Sequence, residues 1–163
     1  MGILGTLLKA ISGNAKSYDR AALEHQRGNF ELAHEILRPL ARNGDDRAQW
    51  LLGSMYAAGN GVPQLYSVAA TWWKMAALSG NAGAQFCLGD LHRIGLGVPQ
   101  DFSAVAAWWT KAAAQGMASA QFNLGLLYSE GLGVPKDVST AQLWWQKAAA
   151  QGDPNAQQAL RDL

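Results

Sequence analysis

The sequence predicts an all-α fold: helix pairs stacked as a solenoid and wound into a right-handed α/α superhelix. Three observations predict it. Landmarks recur every 36 residues: Trp72-Trp73, Trp108-Trp109 and Trp144-Trp145 keep step with Gly61-Val62-Pro63, Gly97-Val98-Pro99 and Gly133-Val134-Pro135. A fixed period of this size is the mark of one supersecondary unit stacked on copies of itself. Each period carries two apolar stretches at helical spacing, and Gly-x-Gly-Val-Pro separates them. There the glycines permit positive φ and the proline cannot continue a helix.

Taken in order, the chain opens with an apolar stripe, Ile3, Leu4, Leu7, Leu8 and Ile11, in a segment 1–14 whose only charge is Lys9. This stripe is expected to cover the first unit or to pair with a second copy as a homodimer; one lysine makes membrane contact a weak alternative. Residues 15–44 form a looser unit, with one helix over 18–27 and another over 31–41, joined by Gly28-Asn29. Three full units follow at 45–80, 81–116 and 117–152. The first helix of the first unit spans Asp46 to Ala58, with Asp45 or Asp46 as N-cap. Its second helix carries Ala69, Trp72, Trp73, Ala76 and Ala77, a one-sided stripe, and Gly80 closes it. Asp101 and Asp137 are placed to cap the corresponding helices of the next two units, whereas Leu65 leaves the first without a cap. Residues 153–163 form a closing helix opened by Asp153-Pro154.

Gly53, Gly89 and Gly125 fall inside helices, where glycine costs about 1 kcal/mol against alanine. Close helix approach is the expected compensation, with a tryptophan of the second helix lying on the glycine face of the first. The expectation is that Trp72, Trp108 and Trp144 are mostly buried there.

Composition narrows the function. The 163 residues are 49% hydrophobic and 15% charged, with a net charge of +1. Such a chain has no basic field for nucleic acid. The one cysteine, Cys87, excludes an internal disulfide framework and any multi-cysteine metal site. It suits a cytoplasmic location, or a periplasmic or exported one if a signal peptide has been removed. His25, His34 and His92 lie at no metal-ligand spacing. No nucleophile elbow, phosphate loop or dinucleotide fingerprint occurs. No cofactor, no metal and no catalytic residues are therefore expected. The enzyme alternative, a hydrolase-like site, would have to use Asp90, His92 or Arg93.

The run Ala-Gln-x-x-Leu-Gly, then Gly-x-Gly-Val-Pro, then Ala-x-x-Trp-Trp-x-x-Ala-Ala and a closing Gly resembles the Sel-one-like repeat (SLR) family, relatives of tetratricopeptide repeats. The resemblance covers Asp45 to Gly152 in three units, and residues 15–44 look more like a tetratricopeptide unit. His92 in place of Tyr56 and Tyr128, and Leu65 in place of Asp101 and Asp137, depart from the pattern. The resemblance implies a non-enzymatic protein–protein interaction module, an adaptor or an inhibitor that holds a partner protein or peptide. Cysteine-rich bacterial members have a disulfide in each unit, which this chain lacks.

In a stacked array the first helices line the concave side. Their recurring inner positions give the column Tyr18, Trp50, Phe86 and Phe122. Ser54 and Asp90 lie one turn further along, with Arg93 beyond. Asn123, beside Phe122, can hydrogen-bond a peptide backbone. These eight residues are the expected partner-binding groove. The rival reading is a structural, self-associating protein that uses the N-terminal stripe.

Overall fold

The computed structural model describes the backbone from Ile3 onward and side chains from Gly13 onward. The side chains of Ile3, Leu4, Leu7, Leu8 and Ile11 lie outside the described residues. Among the described residues every regular element is a helix: α1 (Ile3–Gln26), α2 (Phe30–Arg42), α3 (Asp46–Ala58), α4 (Tyr66–Leu78), α5 (Ala82–Ile94), α6 (Phe102–Ala114), α7 (Ala118–Glu130), α8 (Val138–Ala149) and α9 (Pro154–Arg161). They fall into two compact units, Met1–Ser79 and Gly80–Leu163.

In the first unit each helix packs on the next, from α1 to α4. Residues 3–14 and the helix expected over 18–27 share one continuous helix, Ile3–Gln26. Gly13 does not break it, since a single helical glycine costs only about 1 kcal/mol. Ala33, Leu37, Leu40, Ala41, Leu52 and Met55 form the core. Asp45 caps α3, accepting from the backbone N–H groups of Arg47 and Ala48. Leu65 gives α4 no side-chain cap.

In the second unit consecutive helices again pack, from α5 to α9. Asp101 caps α6 through the amides of Ser103 and Ala104, Asp137 caps α8 through Thr140, and Asp153 caps α9 through Ala156. The core runs from Val105, Trp109 and Leu124 to Ala141, Trp145 and Ala156.

The tryptophan pairs correct the sequence expectation. The residue that meets the helix glycine is the second of each pair. A Cβ on Gly53, Gly89 or Gly125 would collide with the indole of Trp73, Trp109 or Trp145, and these three rings are 2–6% exposed. Each indole N–H donates to the carbonyl of the residue three before the glycine: Trp73 to Trp50 (3.0 Å), Trp109 to Phe86 (3.1 Å) and Trp145 to Phe122 (3.1 Å). Neighbouring residues of a helix point about 100° apart, so both tryptophans of a pair cannot reach one glycine. Trp72, Trp108 and Trp144 are left half-buried. Lys111 lies over the Trp108 ring at 4.3 Å and Lys147 over Trp144 at 4.1 Å.

The Gly-Val-Pro turns are also held by close approach. Gly133 has φ +69 and sits against the backbone of Phe102 and Ser103 at the start of α6, leaving no room for a side chain. The turn after α7 is thereby seated on the first residues of α6. The amide of Asp137 returns to the Tyr128 carbonyl at 2.8 Å.

Candidate functional site: a groove between α5, α6 and α7

The glycine contacts and the seated turn fix α5 and α7 beside α6 in the second unit. Their C-terminal halves leave a groove of about 560 Å³. Its walls are Asp90 and Arg93 of α5, Gln100 and Phe102 at the entry to α6, Trp109, and Asn123, Leu126, Leu127, Glu130 and Leu132 of α7 and its turn. The volume falls within the range usual for ligand pockets, and polar and apolar side chains share its walls about equally. Trp109 and Leu127 belong to the buried core, so the floor they form is rigid.

The polar rim has a definite arrangement. Arg93 Nε donates to Asp90 Oδ1 at 2.9 Å, with both side chains partly exposed. Gln100 Nε2 donates to the Arg93 carbonyl at 2.8 Å and ties the turn to the end of α5. Asn123 is half-buried. Glu130 is the last residue of α7, exposed, and in no ion pair among the described residues. No basic residue occupies the last turn of α7, so its carboxylate adds to the negative end of the helix dipole.

Of the eight residues expected in a binding groove, Asp90, Arg93 and Asn123 meet here. Phe86 stands half-buried and stacks on Trp109, with centroids 5.8 Å apart and planes at 20°. Phe122 is half-buried against the cluster of Ala141, Trp145 and Ala148. In the first unit, Tyr18 carries the Arg47 guanidinium over its ring at 4.4 Å, and burial pushes its hydroxyl above the ordinary tyrosine range. Trp50 is half-buried with its indole N–H enclosed and unpartnered, and Ser54 Oγ donates to the Trp50 carbonyl at 3.0 Å. His92 Nδ1 lies 3.1 Å from the Pro99 carbonyl and bonds the turn, apart from the Asp90–Arg93 pair. No group of three or more His, Cys, Asp or Glu that could hold a metal ion occurs among the described residues.

Sequence reasoning missed Gln100, Phe102, Glu130 and Leu132. One signal could have found Glu130. Its counterparts one and two periods earlier are Ile94 and Ala58. Asn123 likewise answers to Cys87 and Leu51, and Arg93 to Ala57 and Ser129. Packing repeats its residues, as Gly53, Gly89 and Gly125 show; the rim of the groove does not repeat.

Comparison with known proteins agrees with this architecture. The model of the Sel1 repeat matches residues 46–81, 82–117 and 118–153. The chain belongs to the Sel1 repeat family. Sel1 repeats typically mediate protein–protein interaction. A protective antigen present in uropathogenic Escherichia coli strains, displaying an SLR fold, is 34% identical with a TM-score of 0.84 over 96% of this chain and 34% of its own. A Sel1 repeat protein from Oxalobacter formigenes is 32% identical with a TM-score of 0.81, over 84% of this chain and 56% of its own. The chain thus spans about a third of the first relative and just over half of the second. Helicobacter pylori cysteine rich protein B, 20% identical with a TM-score of 0.59, shares the fold. No curated protein matches the sequence. Among the described residues no helix is long and apolar enough to cross a membrane.

Proposed function

We propose that this Sel1 repeat chain is a non-enzymatic interaction module, an adaptor or inhibitor, that holds a segment of a partner protein in the groove between α5, α6 and α7. The observation that carries the reading is the contrast between floor and rim. The floor uses residues that the repeat requires, while Asp90, Arg93, Asn123 and Glu130 occupy positions that the other repeats fill differently. Residues that packing does not demand, gathered around one cavity, are what a repeat array varies to choose its partner. Asn123 offers an amide to a peptide backbone, and Phe102 and Leu126 offer area to a side chain. Within the second unit Phe86, stacked on Trp109, and Phe122, packed against Trp145, support the groove by fixing α5 and α7. The place of work proposed with it is the cytoplasm, or the periplasm or exterior if a signal peptide is removed.

The test is selection of a random dodecamer peptide library, displayed on phage, against the intact chain. Selected peptides should lose binding to Asn123→Ala and to Leu126→Ala when both variants melt as cooperatively as the parent. Peptides indifferent to both substitutions, or no selected peptide at all, would overturn the reading.

A further inference from the structure

The groove carries a charge that the repeat does not require, and this charge specifies its occupant. Resting on the reading above, we infer that the bound segment presents a basic side chain, arginine or lysine, whose stem lies on Phe102, Leu126 and Leu132 and whose charged head meets Glu130.

Three charged side chains line the cavity: Asp90, Arg93 and Glu130. Asp90 and Arg93 neutralise each other at 2.9 Å. Glu130 makes no ion pair among the described residues. It stands at the C-terminus of a helix, where the aligned backbone dipoles disfavour a carboxylate. The contrast with α5 is direct: its last turn holds His92 and Arg93, the residues the dipole favours. The last residues of α3 and α5, which correspond to Glu130, are the uncharged Ala58 and Ile94. An acid placed where the helix disfavours it, in the wall of the cavity, gains a partner when a cation arrives.

The shape fits the same chemistry. A lysine or arginine stem buries its methylenes along apolar surface while its head stays at the polar rim. Phe102, Leu126 and Leu132 supply that surface and Glu130 the rim. Arginine can in addition meet a carboxylate with two parallel N–H···O bonds. An acidic side chain would face Glu130 and the carbonyl end of α7 together, and is disfavoured at that end of the groove.

The same peptide library decides the matter, read for composition and repeated against Glu130→Gln. Glu130 is exposed and disfavoured by the dipole of α7, so the variant should melt no lower than the parent. Selected sequences should share one basic position flanked by apolar residues and be depleted of Asp and Glu there. A synthetic peptide from that consensus should lose about tenfold in affinity when its basic residue becomes citrulline or norleucine. The same loss should follow Glu130→Gln, with no further loss when both changes are combined. Peptides that need Asn123 and Leu126 but share no basic position would overturn this inference and leave the groove reading standing. Peptides indifferent to those residues would overturn both. Self-association of the free chain, abolished by Leu126→Ala, would make a second copy the occupant and would overturn the inference.

Discussion

Gln49, Gln85 and Gln121 show how a single side chain propagates through the array. All three are 2–5% exposed. Gln121 Nε2 donates to the Ala113 carbonyl at 3.1 Å and its Oε1 accepts from Gln151 at 2.8 Å. Gln85 Oε1 accepts from Gln115 at 2.8 Å. Gln49 Nε2 reaches the Ala41 carbonyl at 3.0 Å, but its Oε1 is buried with no partner. The position that supplies Gln115 and Gln151 holds Ser79 in the first repeat, and its hydroxyl turns back to the Met75 carbonyl. Ser79→Gln should therefore raise stability by about 0.5–1.5 kcal/mol, the net worth of one hydrogen bond, read as a higher urea midpoint. An unchanged or lower midpoint would contradict the assignment. Two histidines of the first unit also respond at this scale. Burial holds His25 below the ordinary imidazole value; burial, then the nearby Arg38 charge, lowers His34 despite Glu35. His25 Nε2 lies 3.4 Å from Asn60 Nδ2, and His34 Nε2 lies 3.4 Å from the Tyr56 hydroxyl. A group whose folded pKa is lowered takes up its proton more readily in the unfolded chain. Its contribution is complete above the unfolded value, near 6.5, and declines as pH falls from there through the folded value. Urea midpoints should fall between about pH 7.5 and about pH 5.5, and less so in His34→Gln. Equal midpoints at both pH values would contradict this.

At the scale of the helix, the caps and the glycine contacts give two further expectations. Leu65 has the extended backbone of Asp101 and Asp137, φ −143 against −155 and −150, yet gives no cap bond. Leu65→Asp should stabilise by about 1 kcal/mol, seen as a higher melting temperature. Loss of stability would mean that Leu65 does packing work its 45% exposure does not suggest. Gly89→Ala should do the reverse. A Cβ there meets Trp109 Cδ1 at 2.5 Å, and the ring cannot yield without breaking its bond to the Phe86 carbonyl. The overpacking penalty, about 1–3 kcal/mol, should outweigh the roughly 1 kcal/mol gained in helix propensity. A stabilised Gly89→Ala protein would refute the close approach. The sequence made these elements legible because glycine inside a helix and proline after one have local causes. It did not tell which tryptophan of a pair meets the glycine. That choice depends on the rotation of α4, α6 and α8 about their own axes, and adjacent tryptophans carry the same composition in either rotation.

For the molecule as a whole, periodicity and its violations divide the information. The period made the all-helical fold and the repeat family readable, since stacking requires the same small and large residues in every copy. It also drew attention to the aromatic column, because Trp50, Phe86 and Phe122 recur in phase. The groove that includes Asp90, Arg93 and Asn123 starts beside Phe122 and reaches a turn or more beyond Phe86 on α5. Its other rim residue, Glu130, could be read only as a departure from the period, and Phe102 and Gln100 reach the cavity through the fold of a turn. Amide chemical-shift mapping decides whether this groove holds a partner segment. The probe is the strongest library peptide, titrated into the isotope-labelled intact chain. Saturable shifts should concentrate at residues 90–94, 100–102 and 123–132. Shifts confined to the outer faces of α6 and α8, or to α1, would contradict this placement.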